Sequence, residues 1–94
     1  MLLNQIITVS SDVLAQEVSG EMVLLDLKSE QYMGLNEVGA RVWQLLEENK
    51  DLNIIFGKLL EEYDVEADFL ENDLVQLIAD MHGAGVVTVE EKKD

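Results

Sequence analysis

Apolar and polar side chains alternate along the first third of the chain, which is the pattern of half-buried β-strands. The alternation predicts a short strand over residues 6–9 and a second strand over Val13–Val18. A two-residue hairpin signal, Ser19-Gly20, follows the second strand. The chain then returns as a strand over residues 21–27, with Val23, Leu25 and Leu27 on one face.

A tight turn over residues 28–30 leads into a short strand over Gln31–Leu35. The three consecutive strands form an antiparallel meander, and the last one lies at the sheet edge unless a later segment pairs with it. Gly34 lies inside that strand. A glycine there marks either a bulge or the close approach of another backbone, and the sequence leaves both interpretations open.

From Asn36 onward the apolar spacing becomes helical. Three helices are predicted: one begins after the N-cap Asn36 and ends near Asn49, one runs from the cap Asp51 to about Tyr63, and one covers residues 67–82. Residues 86–89 are a candidate terminal strand. The predicted inward positions are Val38, Val42, Trp43, Leu45 and Leu46, then Ile54, Ile55, Leu59 and Leu60, then Leu70, Leu74, Leu77, Ile78 and Met81.

These elements predict a single α+β domain over residues 1–94, with its core between about residues 6 and 89. A three-stranded antiparallel sheet is followed by three helices in a winged-helix-like arrangement. Folds of this type often bind DNA, but fold alone does not decide function.

The charge of the chain argues against nucleic acid as a partner. The 94 residues include 20 Asp and Glu against 6 Lys and Arg, a net charge of −14. Binding to phosphates requires a cationic face, and the six cations here are scattered along the chain. Anionic membranes are disfavoured for the same reason. Cationic or apolar partners remain, and acidity that serves only solubility is an equally simple explanation.

The side chains that catalysis would need are missing from the sequence. There is no cysteine, and His82 is the only histidine, so neither a zinc site nor a Cys–His pair can form. We interpret His82 as a surface or helix-capping residue. We expect no enzyme activity, no metal and no cofactor. The sequence has no apolar run of membrane-spanning length and no signal-peptide pattern at its start, so we expect a cytoplasmic protein.

The strand Gln31–Leu35 is the most informative feature of the sequence. An edge strand offers unpaired N–H and C=O groups, and an extended peptide can pair with them while flanking pockets read its side chains. The third helix could provide such a pocket. Its apolar stripe is flanked by Asp73 and Asp80, which suit a basic side chain on the peptide or, alternatively, only solvate the helix.

Several motifs resemble the PqqD family in the same order along the chain. They are residues 20–27, then Tyr32-Met33-Gly34-Leu35-Asn36 with Val38-Gly39-Ala40 and Val42-Trp43, then residues 62–65, Asp73-Leu74 and residues 85–87. The likeness spans about residues 13–89. PqqD-like proteins bind the leader of ribosomally made, post-translationally modified peptides, either as standalone chaperones or fused to modifying enzymes. Met33 departs from the family pattern, which often has a second aromatic residue there.

The resemblance implies that a leader peptide adds as an antiparallel strand in the cleft between the last strand and the third helix. The implied peptide-binding residues are Gln31, Tyr32, Met33, Gly34, Leu35, Leu70, Asp73, Leu74, Leu77 and Met81. It implies a peptide-modifying enzyme as second partner: a lasso-pathway leader peptidase with its cyclase, slightly favoured over a radical SAM maturase. An acidic protein–protein adaptor and a winged-helix regulator are the alternatives. A dimer formed by strand exchange is also compatible with the exposed edge.

Overall fold

The computed structural model describes residues 4–91 of the chain. In chain order its elements are β1 (Gln5–Val9), β2 (Val13–Val18), β3 (Glu21–Asp26), β4 (Gln31–Leu35), α1 (Glu37–Glu48), α2 (Leu52–Glu62), α3 (Ala67–Gly83) and β5 (Val87–Glu91). Strands β2, β3 and β4 form an antiparallel sheet in that order, and β1 pairs with β5 in a separate two-stranded sheet. The α+β class and the three-stranded meander are therefore confirmed. The edge position of β4 in the sheet is confirmed as well.

Two tight turns shape the three-stranded sheet. Ser19 and Gly20, between β2 and β3, both have positive φ angles, 53° and 82°, as a type I′ hairpin turn requires. The turn between β3 and β4 is organised by Asp26, whose carboxylate accepts a hydrogen bond from Ser29 Oγ at 2.7 Å and another from Lys28 N at 3.2 Å. The turn ends at Glu30, which has a φ of 60°.

Val23 and Leu25 lie on one face of β3, as predicted, and this face points away from the core. Met22, Leu24 and Asp26 point into the protein, whereas Val23 and Leu27 are 39% and 50% exposed. Four consecutive apolar residues, 22–25, satisfy either phase of a two-residue alternation, so the pattern cannot decide which phase faces the core. The helices decide it, because they cover only one side of the sheet.

The helix boundaries follow the predicted caps. The Asn36 side chain accepts a hydrogen bond from Gly39 N at 2.9 Å, and Asp51 accepts one from Asn53 N at 3.0 Å. The inward face of α2 differs from the prediction: Leu52 is buried, while Ile54 is 45% exposed. The face is set by packing against α1 and α3, which the run of three adjacent apolar residues in α2, 54–56, does not specify.

Helix α3 leads directly into β5, which closes the domain against the N-terminal strand. Val9 pairs with Val87 and Gln5 with Glu91, so the candidate terminal strand is confirmed but starts one residue later and extends further. The core that these elements enclose contains Trp43, which is 2% exposed, as predicted. Its other members are Ile7, Met22, Leu24, Leu35, Ala40, Val42, Leu45, Leu46, Leu52, Ile55, Leu59, Leu70, Leu74, Ile78, Met81, Val86 and Val87.

Candidate peptide-binding groove

A groove of about 450 Å³ lies where the end of β4, the start of α1 and one face of α3 meet. Its lining comes from three segments of the chain. They are Gly34, Leu35 and Asn36 at the strand end, Val38, Gly39 and Val42 of α1, and Leu70, Asp73, Leu74, Gln76, Leu77 and Asp80 of α3. The groove therefore exists only in the folded domain.

The floor of the groove is continuous with the hydrophobic core. Leu35, Val42 and Leu74 are between 1% and 3% exposed, so they shape the floor but offer little surface. The accessible apolar surface comes from Val38, which is 38% exposed, and from the half-buried Leu77. A ligand in the groove would bury apolar side chains mainly against these two residues.

One wall of the groove is acidic. Asp73, Gln76 and Asp80 follow one another at intervals of three and four residues, which places them along one face of α3. The Gln76 amide donates to Asp80 Oδ1 at 3.0 Å. Within residues 4–91 neither aspartate forms an ion pair with a lysine or arginine. This wall would attract a positively charged group on a ligand.

The opposite wall is the outer edge of β4, with which no strand within residues 4–91 pairs. Leu27 N donates to Asp12 O at 2.8 Å, which fixes the alternation of hydrogen-bonded pairs between β2 and β3. Leu24 and Met22 then direct their N–H and C=O groups towards β4, where they face Met33 and Leu35. Tyr32 and Gly34 must direct theirs away from the sheet.

Gly34 lies on this edge as a regular member of the strand. The register from Gln31 to Leu35 is unbroken, so the interpretation of Gly34 as a bulge is wrong. A Cβ built on Gly34 would have no heavy atom within 4 Å. Within residues 4–91, therefore, no contact requires a glycine at this position.

The structure brings together six of the ten residues that the sequence proposed for peptide binding. Gly34, Leu35, Leu70, Asp73, Leu74 and Leu77 line the groove. Gln31, Tyr32 and Met33 lie along β4 beyond the lining, where Met33 packs on the core and Tyr32 is 76% exposed on the opposite face of the sheet. Met81 needs correction, because it is 0% exposed. It belongs to the core at the end of α3 that continues into β5, and it offers no surface to a ligand.

Sequence reasoning missed the contribution of α1. Val38 and Gly39 line the groove from the first turn of that helix, and Gln76 lines it from α3. The apolar spacing of α1 predicts Val38 as a core residue, but its side chain is 38% exposed. Its position directly after the edge strand was the available signal, since a helix that begins there must start beside the free edge.

A second depression, of about 380 Å³, lies on the other side of α3. Its lining includes His82, which is exposed, as expected for a surface residue. Within the described part of the chain, no three His, Asp or Glu side chains are grouped so that they could hold a metal ion. No helix of that part is long and apolar enough to span a membrane.

Together the fold and the groove define a class: a small α+β domain with a free sheet edge facing a helix-lined groove. Residues 21–87 match the family described as coenzyme PQQ synthesis protein D (PqqD). This match covers more than half of the chain, so the chain belongs to the PqqD family. No curated protein sequence matches the chain.

Two solved structures share its fold. One is TbiB1 in complex with the TbiA(beta) leader peptide, which is 32% identical with a TM-score of 0.79, covering 93% of this chain and 99% of that chain. The other is a lasso peptide synthetase B1 complexed with the leader peptide, which is 26% identical with a TM-score of 0.76, covering 87% of this chain and 96% of that one.

Proposed function

We propose that this chain is a non-catalytic recognition element that binds the leader of a ribosomally made precursor peptide and delivers it to a modifying enzyme. The observation that carries the proposal is the free edge of β4, which faces a groove in a fold shared with two proteins solved with leader peptides. Strand addition is the recognition mode that such an edge supports.

In the proposed complex the leader pairs with β4 as an additional antiparallel strand. The outward N–H and C=O groups of Tyr32 and Gly34 supply the main-chain hydrogen bonds. β4 has five residues, so it can align about 17 Å of extended peptide. Side chains of the leader alternate between the groove and the opposite face of the sheet.

The groove favours a leader with apolar side chains and a basic neighbour. Inward-facing leader residues would contact Val38 and Leu77, and Asp73 and Asp80 would attract a lysine or arginine beside them. An acidic wall would repel the phosphates of a nucleic acid, so the same chemistry disfavours the winged-helix regulator.

A lasso-peptide pathway is the setting that we favour for the partner enzyme. The support is the likeness to a lasso peptide synthetase B1, which extends over 96% of that protein. The delivered leader would then meet a leader peptidase and a cyclase. A radical SAM maturase is the second possibility for a member of the PqqD family.

The free edge can be tested with two substitutions at one position. Gly34→Pro removes the outward N–H and places a ring where the peptide would pair, while the ladder to β3 does not use that N–H. Gly34→Ala is the matched control, because its Cβ meets open space and its N–H is kept. The probe is the fluorescein-labelled TbiA(beta) leader, together with the cognate leader of any short precursor reading frame found beside this gene.

Fluorescence anisotropy gives Kd for each pair of protein and peptide. We expect wild type and Gly34→Ala to agree within about threefold, and Gly34→Pro to bind at least about 30-fold more weakly, a loss of about 2 kcal/mol. Circular dichroism verifies that the variants fold. If the cognate leader does not bind wild type, the proposed function is wrong; if Gly34→Pro binds as wild type does, the proposed edge is wrong.

A further inference from the structure

An exposed phenylalanine lies on α3 beside the groove. Phe69, in the first turn of the helix, is 68% exposed, although phenylalanine is among the residues most often buried. It lies one turn before Asp73, on the side of α3 that carries Gln76 and Asp80. Phe69 therefore continues the acidic wall beyond the groove. Neither the core nor the groove lining includes its ring.

The start of α3 lies near the end of β4. Arg41, in the first half of α1, donates from Nη2 to Glu62 Oε2 at 2.7 Å, and Glu62 ends α2. α3 begins shortly after Glu62, and α1 begins directly after the cap that follows Leu35. This ion pair therefore brings the first turn of α3 to the Leu35 end of β4.

The other end of α3 lies near the start of β4. Gly85 follows the helix closely, and a Cβ built on it would be 3.3 Å from Asp26 Oδ2. Asp26 pairs with Gln31, the first residue of β4. Taken together, the two ends show that α3 runs antiparallel to β4.

A leader that pairs antiparallel with β4 would therefore run parallel to α3. Its amino-terminal end would leave the strand at Leu35, beside the start of the helix, because β4 has only five residues. Three residues of extended peptide span about 10 Å, whereas Phe69 precedes Asp73 by only about 6 Å along the helix axis. Residues that precede the paired segment of the leader would thus be within reach of Phe69.

Carboxylates flank the exposed ring. Glu66, the N-cap residue of α3, precedes Phe69 by three residues, and Asp73 follows it by four, so both lie on the face of the ring. Glu66 makes no capping hydrogen bond through its side chain, and within residues 4–91 neither carboxylate forms an ion pair. An aromatic ring between two carboxylates suits a side chain with an apolar stem and a cationic end.

We propose that Phe69 is a specificity-determining residue, which recognises an arginine or lysine on the amino-terminal side of the paired segment of the leader. This inference rests on the proposed function, because it requires a leader paired antiparallel with β4. Recognition would then extend beyond the five residues of the strand. It would also select the direction of the peptide, since a leader in the opposite direction would place these residues near Asp80, away from Phe69.

The test uses synthetic peptides derived from the TbiA(beta) leader, with an acetylated amino terminus and a carboxyl-terminal fluorescein. Removal of residues one at a time from the amino terminus defines the shortest peptide that still binds wild type with a measurable Kd. Three residues are then added to that peptide. All three are alanine in the reference peptide, and in the others one position carries arginine, lysine, leucine or glutamate.

Three variants separate the ring from other effects. Phe69→Ala removes the ring and Phe69→Tyr retains it. Ile54→Ala is the matched control, since Ile54 is 45% exposed on α2. Neither position belongs to the core or to the groove lining, so all three variants should bind the unextended peptide within about twofold of wild type.

We expect arginine at one of the three added positions to lower Kd about fivefold relative to the alanine reference, because the ring and the carboxylates both attract it. Wild type, Phe69→Tyr and Ile54→Ala should all show this gain. Leucine should give less than a twofold gain, and glutamate should weaken binding. In Phe69→Ala the gain from arginine should fall below about twofold.

Three results would overturn the inference while leaving the proposed function intact. The first is no gain from arginine or lysine at any position, and the second is a gain that Phe69→Ala retains in full. Equal gains from leucine and arginine are the third, because Phe69 would then recognise an apolar side chain. If no leader peptide binds wild type at all, the proposed function is contradicted, and this inference falls with it.

Discussion

Val38→Asp tests the groove without disturbing the fold. Val38 is the second residue of α1, and a carboxylate in the first turn interacts favourably with the helix dipole. Its side chain is 38% exposed and lines the groove, so the substitution removes little core packing. We therefore expect stability to be maintained while binding of the leader is lost.

The magnitude follows from the exposure of Val38. Complete burial of a valine is worth about 1.5 kcal/mol, so covering the exposed 38% contributes about 0.6 kcal/mol to leader binding. The new carboxylate must also lose water when the peptide covers it, which costs about 1–3 kcal/mol. We expect a combined loss of about 1.6–3.6 kcal/mol, or roughly 15- to 400-fold in Kd.

The control is Ile54→Asp, which makes the same change of charge in the first turn of α2. Ile54 is 45% exposed and lies outside the groove lining. Anisotropy titration of the labelled cognate leader measures Kd, and thermal melting verifies the fold of both variants. Wild-type affinity of Val38→Asp, or an equal loss in Ile54→Asp, would refute the assignment of the groove.

Three further predictions concern the fold that supports the groove. Glu30→Gly should raise the free energy of unfolding by about 0.5–1 kcal/mol in urea denaturation, because it relieves a φ of 60°, while Glu30→Ala keeps the strain and should not. The hydrogen bond from the Ser29 hydroxyl holds the pKa of Asp26 below its usual value of 3.8. The Asp26 carboxylate therefore stabilises the fold fully above pH 3.8, and this contribution is lost as the pH falls through the lowered pKa. The difference in urea midpoint between wild type and Asp26→Asn should accordingly be large at pH 7 and shrink below about pH 4; a constant difference would contradict the role of the charge. Leu74→Ala should cost about 2–5 kcal/mol of unfolding free energy and Leu77→Ala only about 1 kcal/mol, because Leu74 is 2% exposed and Leu77 is half-buried; equal losses would contradict the placement of Leu77 at the groove surface.

Local signals in the sequence were sufficient for the elements and their order. Asn36 and Asp51 cap the helices that they were expected to cap, and Ser19-Gly20 forms the expected hairpin turn. These features depend on hydrogen bonds and backbone angles within a few residues, so neighbouring residues determine them. The edge position of β4 was predicted only on condition that no later strand pairs with it, and this holds because β5 pairs with β1.

The orientation of each element was decided by packing between distant segments. In β3 the run of residues 22–25 is apolar on both faces, and only the helices packed against one side select Leu24 for the core and leave Val23 outside. In α3 the same apolar stripe supplies Leu77 to the groove and Met81 to the core, because the end of the helix is covered by the β5 region.

By itself, the sequence determined that the chain forms an acidic α+β domain with an edge strand, because composition, caps and turns are local properties. The groove needed tertiary structure, since Gly34, Val38 and Leu77 meet only when the strand end, α1 and α3 are brought together. The exposed apolar face of the three-stranded sheet likewise depends on the tertiary structure. Its side chains become a surface only because the helices cover one face of the sheet and leave the other exposed to solvent.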